Sequence, residues 1–218
     1  IYEVDKGKAL NVNEIDKALS TGKYDFLTVT HNETSTGIMN PIEEISEVVK
    51  KYPEVVFAVD AVSSAAGSKI EVDKYGIDIC ITSTQKAIGL PPGMAICTFS
   101  DKAIKNAEKV KFRGTYLDLL ALYKYIKKKD YQYPSTPSIS HMYALDYQLN
   151  YILNEEGLEN RFARHIEMAN IVRDWAKRYF ELFPEEKYLS NTLTTVKNTR
   201  NIDVAKLNKE FGDRGFQI

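Results

Sequence analysis

The chain has 218 residues, with 29 Lys and Arg against 30 Asp and Glu and apolar residues at 44%, the proportions of an ordinary water-soluble globular protein. Near-balanced charge argues against a polyanionic partner such as nucleic acid, and two cysteines are too few for a disulfide framework, which points to a reducing compartment. There is no apolar run of about 18 residues or more and no signal-peptide pattern, so no membrane association is expected and the cytoplasm is the expected location.

Residues 13–19 open on a capping asparagine, keep helical spacing and stop at Gly22. Residues 24–30 read as a strand that delivers His31 to its carboxyl end. Residues 41–51 carry proline in the first turn and apolar residues three and four apart, the pattern of an amphipathic helix. Residues 55–59 form an apolar, β-branched run that ends abruptly in Asp60. A second apolar run, 77–81, leads into the stretch STQKAIGLPPG at 83–93. Such runs, bounded by turn formers, are expected to be strands buried on both faces of a central sheet. The order strand, helix, strand predicts right-handed crossovers and a mainly parallel sheet. Residues 93–99 follow by so short a link that they are expected to lie antiparallel. Cys80 and Cys97 fall inside these runs as small core residues.

Further on, a helix is expected from Asp101. Another is expected from Tyr116, ending in the lysines 127–129, a solvated end favoured by the helix dipole. Residues 131–137 hold two prolines, each restricting the residue before it, so they form a stiff loop rich in hydroxyls. Helical spacing resumes over 138–153, breaks at 154–157 and returns from Leu158 toward Phe183. Residues 194–196 and 203–211 read as the beginning of a smaller second domain. His141 and His165 fall on helices with no chemical role, His31 reads as a polar residue at the site edge, and no two histidines or cysteines share metal-ligand spacing, so no metal is expected.

Lys86 is the unusual residue. It follows a central strand, and open α/β sheets bind ligands at the carboxyl ends of their strands. An amine held there, partly desolvated, becomes a nucleophile toward an aldehyde. Asp60 ends a neighbouring strand, where a buried carboxylate needs a partner. That partner is either the N-terminus of the next short helix, which the aspartate would cap, or a cation brought by a ligand. A lysine for a Schiff base and an aspartate for a pyridinium nitrogen together form the minimal kit of pyridoxal phosphate chemistry.

With HNETSTG at 31–37, VDAVSS at 59–64, STQKAIGLPPG at 83–93 and TPSISHMYAL at 136–145, the chain resembles the class V aminotransferases, most closely the alanine–glyoxylate and serine–pyruvate group. The likeness runs over about 23–160. It implies the α/β fold of pyridoxal phosphate-dependent transferases, fold type I: a large domain with a mainly parallel sheet, plus part of a smaller C-terminal α/β domain. The implied division is 1–156 for the cofactor-binding large domain, lacking its N-terminal part, and 157–218 for the start of the small domain. By position, Lys86 resembles the catalytic Schiff-base lysine and Asp60 the partner of the ring nitrogen. Val62 looks like the residue packing under the ring, Thr34 like the hydroxyl on the phenolic oxygen, and Gln85 like a phosphate ligand. Tyr133 and Thr136 would reach the phosphate of a neighbouring subunit, which implies a homodimer with shared sites.

The resemblance also implies parts that this sequence does not match. A Gly/Ser-rich phosphate turn and a stacking aromatic belong well before His31, and a carboxylate-binding arginine belongs in a strand near the C-terminus, a context that neither Arg200 nor Arg214 fits. The sequence is therefore expected to be part of a longer enzyme and unable to complete the reaction by itself. The implied reaction is transamination of alanine or serine with glyoxylate or pyruvate. A cysteine desulfurase-like or phosphoserine aminotransferase-like enzyme, or a non-catalytic fragment of the fold, is the alternative. Against desulfuration, Gln85 stands before the lysine and both cysteines lie in strands, where a thiolate is poorly solvated.

Overall fold

The computed structural model describes residues 1–128 and 133–216. Helix α1 (Val12–Leu19) is capped by Asn11, whose side chain accepts from the Asn13 amide; the cap is two residues earlier than the sequence reading placed it, and the Ile15 amide already donates to the Asn11 carbonyl, so Asn13 lies inside the helix. Strand β1 (Phe26–Thr30) is followed by a small antiparallel hairpin, β2 (Asn32–Glu33) and β3 (Ile38–Met39), and then by α2 (Ile42–Val49). Strands β4 (Val56–Asp60), β5 (Ile79–Ser83) and β6 (Ala95–Phe99) complete a sheet of order β1-β4-β5-β6. The first three strands run parallel, with Thr30 beside Asp60 and Asp60 beside Ile81, and β6 is antiparallel to β5, as the link lengths require.

Helices α1 and α2 pack their apolar stripes on the sheet, and Ile15, Leu19, Ile45, Val29, Phe57 and Val59 form one buried cluster. Strand β4 is buried on both faces from Val56 through Val59. Strand β5 is not, contrary to the sequence reading. Cys80 packs against the α1–α2 cluster, but side chains alternate along a strand, and Ile81, on the other face, is 41% exposed. Buried Asp78 ties the layers together. Its carboxylate accepts from the Phe57 amide at 2.9 Å, from Ser100 Oγ at 2.6 Å and from Lys102 Nζ at 2.7 Å. Ser100 in turn caps α3 (Asp101–Ala107).

Helix α4 (Leu119–Ile126) begins at the Asp118 cap, three residues after the expected start, since the Asp118 carboxylate accepts from the Leu120 and Ala121 amides. Of the expected lysine run and stiff loop, Lys129, Tyr131 and Gln132 lie outside the described residues. Helix α5 (Ile139–Asn150) continues into a π-helical turn (Tyr151–Glu156), where the sequence suggested a break from 154 to 157. Gly157 at φ +80° then starts α6 (Leu158–Tyr179). The antiparallel pair β7 (Glu181–Leu182) and β8 (Val196–Lys197) and helix α7 (Val204–Asp213) follow.

His31 pins the end of β1. Its amide donates to the Asp60 carbonyl at 2.8 Å, and its Nδ1 lies 2.9 Å from Ser64 Oγ. It is buried, and burial pushes its pKa down to about 4. The unfolded chain therefore binds a proton near pH 6.5 that the folded chain refuses until about pH 4. Stability is fully present above the unfolded value and falls through that window, by roughly 3 kcal/mol in total. Urea midpoints measured from pH 7 to pH 4 should show this slope, and His31→Gln should flatten it; an unchanged slope would contradict a buried neutral imidazole. Phe57 has no exposure, so Phe57→Ala should cost about 3–5 kcal/mol. A shift in the urea midpoint worth less than about 1 kcal/mol would show that the β4 core re-packs freely.

Candidate active site

The parallel register brings the carboxyl ends of β1, β4 and β5 to one edge of the sheet, at Thr30, Asp60 and Ser83. A cleft of about 280 Å³ opens there, and Thr34, Asp60, Val62 and Lys86 all line it. Four residues separated by up to 52 positions in the chain (86 less 34) meet in one place because β1, β4 and β5 end in register. Asn32, Glu33 and Ser63 also line the cleft, and the sequence reading had given none of them a role. Ser63 was within reach of inference, since it belongs to the same strand-end motif as Asp60.

Both charged groups are exposed, where the sequence reading expected a buried carboxylate and a partly desolvated amine. The reason is local. Asp60 is the last residue of β4, and its Oδ1 accepts from the Val62 amide at 2.9 Å, a turn that aims the carboxylate past the sheet edge. Of the two partners considered for Asp60, a backbone amide thus takes one oxygen. Lys86 sits in a turn closed by Gly89 N–H to Lys86 C=O at 2.9 Å and Leu90 N–H to Thr84 C=O at 2.9 Å. Fully buried Thr84 anchors that turn through its hydroxyl, which donates to the Pro91 carbonyl at 2.9 Å.

The floor of the cleft is polar. Thr34 Oγ1 lies 2.5 Å from Ser63 Oγ, so the loop after β1 is tied to the turn after β4. Asn32 is buried; its amide donates to the Ser63 carbonyl and to Thr192 Oγ1, each at 3.3 Å, while its Oδ1 is buried without a partner. Thr192 also donates to the Ser63 carbonyl. Only the tertiary fold shows that residue 192 reaches this place. Gln85, Tyr133 and Thr136 are exposed and do not line the cleft. Cys80 and Cys97 are half-buried in their strands, and burial, reinforced by Cys97 and Asp60, pushes the Cys80 thiol up to about 11. Burial raises the Cys97 thiol as well.

The Lys86 amine, the Asp60 carboxylate, the Thr34 and Ser63 hydroxyls and Val62, all on one cleft, are the groups an aldehyde-bearing, protonated pyridine needs: a nucleophile for the aldehyde, a counter-charge for the ring nitrogen, donors for the ring hydroxyl and an apolar surface for the ring. The residues present therefore fit the ring and aldehyde of pyridoxal phosphate.

The family model described as aminotransferase class-V matches residues 1–209. An uncharacterized aminotransferase of Methanocaldococcus jannaschii is 47% identical over 84% of this chain and 48% of its own length. The serine–glyoxylate aminotransferase of Arabidopsis thaliana is 31% identical over 95% of this chain and 53% of its own. Among solved structures, an alanine–glyoxylate aminotransferase from Nostoc sp. superposes with a TM-score of 0.86 at 28% identity, over 95% of this chain and 55% of that one. A pyridoxamine–pyruvate aminotransferase from Mesorhizobium loti gives 0.88 at 27% identity. The chain spans about half the length of the curated relatives it matches. The fold is the mainly parallel α/β fold of the pyridoxal phosphate-dependent fold type I enzymes. By its sheet, by the motifs at its strand ends and by the match over nearly all its residues, this chain belongs to the class V aminotransferases, a pyridoxal phosphate-dependent family.

Proposed function

We propose that this chain carries the catalytic lysine and the ring-nitrogen partner of a transaminase that moves the amino group of alanine or serine to glyoxylate or pyruvate. The observation that carries the reading is the meeting of Lys86 and Asp60 on one cleft at the carboxyl edge of the sheet. Pyridoxal phosphate, when bound, supplies the electron sink that makes an amino acid Cα–H acidic enough to remove. Asp60 holds the positive charge of the ring nitrogen with its exposed carboxylate, and the Val62 amide keeps that carboxylate in place. Thr34, buttressed by Ser63, donates toward the ring hydroxyl. Lys86 would hold the aldehyde end of the cofactor through its amine, and that amine, when free, would be the base placed to take the substrate's Cα proton and give it back.

Gln85, Tyr133 and Thr136 are assigned to the phosphate. As the family resemblance implies, Tyr133 and Thr136 are assigned to the phosphate of a neighbouring subunit, and a homodimer with shared sites is part of the proposal; their place outside the cleft of their own chain is consistent with it. So is a boundary between large and small domains near Gly157, where the π-helical turn gives way to α6. Among the described residues no helix is long and apolar enough to cross a membrane. The desulfurase alternative is disfavoured because the Cys80 and Cys97 thiols sit in strands with raised pKa values, the opposite of what a cysteine nucleophile requires.

The protein purified as its own gene encodes it should take up pyridoxal phosphate and show a visible absorbance band that Lys86→Ala abolishes. A band that survives this substitution would remove Lys86 from its role. Asp60→Asn should leave the fold intact and lower kcat by roughly 100-fold or more, since it withdraws a preorganised charge from the reacting system; near-normal turnover would reassign the ring nitrogen to another residue. Keto-acid formation from alanine or serine with glyoxylate is the expected activity. Sulfide release from cysteine without it would favour the desulfurase alternative.

A further inference from the structure

Arg161 stands on the first turn of α6 and is 5% exposed. Its guanidinium reaches acceptors on three segments. Nε donates to the Ala66 carbonyl at 2.9 Å, Nη2 to the Ala87 carbonyl at 2.5 Å and Nη1 to Glu156 Oε2 at 2.5 Å. Ala87 follows Lys86 directly, and Ala66 belongs to the turn that leaves Asp60. That turn is unusual: Ala66 adopts φ +67°, a left-handed conformation that side chains disfavour and that persists only where neighbours enforce it. At Gly67 the two turns touch, since a Cβ added there would come within 3.0 Å of the Ala87 Cβ. The turn after the aspartate strand and the turn after the lysine strand are thus held by one planar fork.

The fork is itself held. The π-helical turn and Gly157 bring Glu156 between Arg161 and Arg164, and its two oxygens accept from both, Oε1 from Arg164 at 2.7 Å. Two more side chains of the same helical arm grip the lysine loop: Gln148 Nε2 donates to the Ile88 carbonyl at 2.7 Å and His141 Nε2 to the Pro92 carbonyl at 3.1 Å.

We propose that Arg161 is a positioning residue that fixes Lys86 relative to Asp60 by clamping both of their turns at once. The proposal rests on the roles given above to Lys86 and Asp60. Its physical basis is that the two exposed groups have no burial to immobilise them, so their separation is set by the backbones that carry them, and those backbones share Arg161. Lysine cannot replace it, because one ammonium on a flexible stem does not span three acceptors in a plane.

Arg161→Lys, Arg161→Ala and Arg164→Ala test this. Arg164 shares Glu156 and is bonded to neither turn. In the cofactor-free protein, amide hydrogen exchange over residues 61–67 and 86–90 should quicken together by about tenfold or more in Arg161→Lys, with β4 protection unchanged and Arg164→Ala like the wild type. In the loaded enzyme Arg161→Lys should lower kcat about 100-fold, while KM for the amino donor moves by less than about threefold. Wild-type exchange in Arg161→Lys, loosening of only one of the two turns, or a kcat within about twofold of wild type would each overturn the proposal. Should Arg161→Ala fail to fold, Arg161→Lys decides. Failure to take up pyridoxal phosphate would sink the functional reading alone, and the exchange result would still decide the clamp.

Discussion

A strand buried on both faces has no water to satisfy its backbone, so every amide and carbonyl along it must find a partner in a neighbouring strand. Val56 through Val59 impose that condition on β4. The strand lies between β1 and β5 with parallel register on both sides, and the register fixes Asp60 beside Thr30 and Ile81. Asp78 reinforces the arrangement from the opposite end by taking the Phe57 amide, the Ser100 hydroxyl and the Lys102 ammonium. Removing those donors would strand a buried carboxylate, a heavier cost than the bonds themselves are worth. The position of the cleft is therefore a consequence of the core: α1, α2 and β4 decide where the carboxyl edge falls, and the functional side chains begin where the sheet ends.

Beyond that edge a different physics applies. Asp60 and Lys86 are exposed, and neither is held by packing of its own side chain. Short turns hold their backbones instead, through the Asp60–Val62 bond, the Thr84 anchor and the Thr34–Ser63 contact. A carboxylate left at the surface incurs no burial cost before a ligand arrives, and the same exposure leaves the cleft open to one. Rigidity then has to come from outside the turns. The buried guanidinium of Arg161 and the amide of Asn32 supply it by taking backbone carbonyls of the segments that flank the cleft.

The sheet was legible in the sequence because its signals are local. The β-branched runs, the Pro41 helix start and the short link between Lys86 and the strand from Gly93 each carry their own physical reason, and the structure has a strand or helix at each place. The strand-end positions of Asp60 and Lys86 were legible for the same reason. The exposure of β5 was not, since Ile81 is as apolar as a buried residue and only the placement of α1 and α2 shows which face they leave open. Nor could spacing have linked Arg161 to Ala87 or Thr192 to Ser63, pairings that cross 74 and 129 positions of chain and depend on how α6 and the segment after it fold back. The π-helical turn before Gly157 was read as a break, yet its irregular winding is what places Glu156 between two arginines.

The charge of the cleft sets the last constraint on the functional reading. Of the residues that line it, Glu33 and Asp60 are acidic and Lys86 alone is cationic, and in the proposed chemistry Lys86 is engaged with the aldehyde carbon. A dianionic phosphate is therefore repelled by the lining of this chain's own cleft unless donors approach from elsewhere. Glu33 lessens the problem only in part, since its Oε1 already accepts from the Ser35 amide at 2.9 Å and hydroxyl at 2.7 Å. The ring end of the cofactor thus matches residues of this cleft, while the phosphate end needs the hydroxyls and amide assigned to Gln85, Tyr133 and Thr136. Ring chemistry and phosphate anchorage divide along that line: the groups that match the ring line the cleft, and those assigned to the phosphate stand outside it.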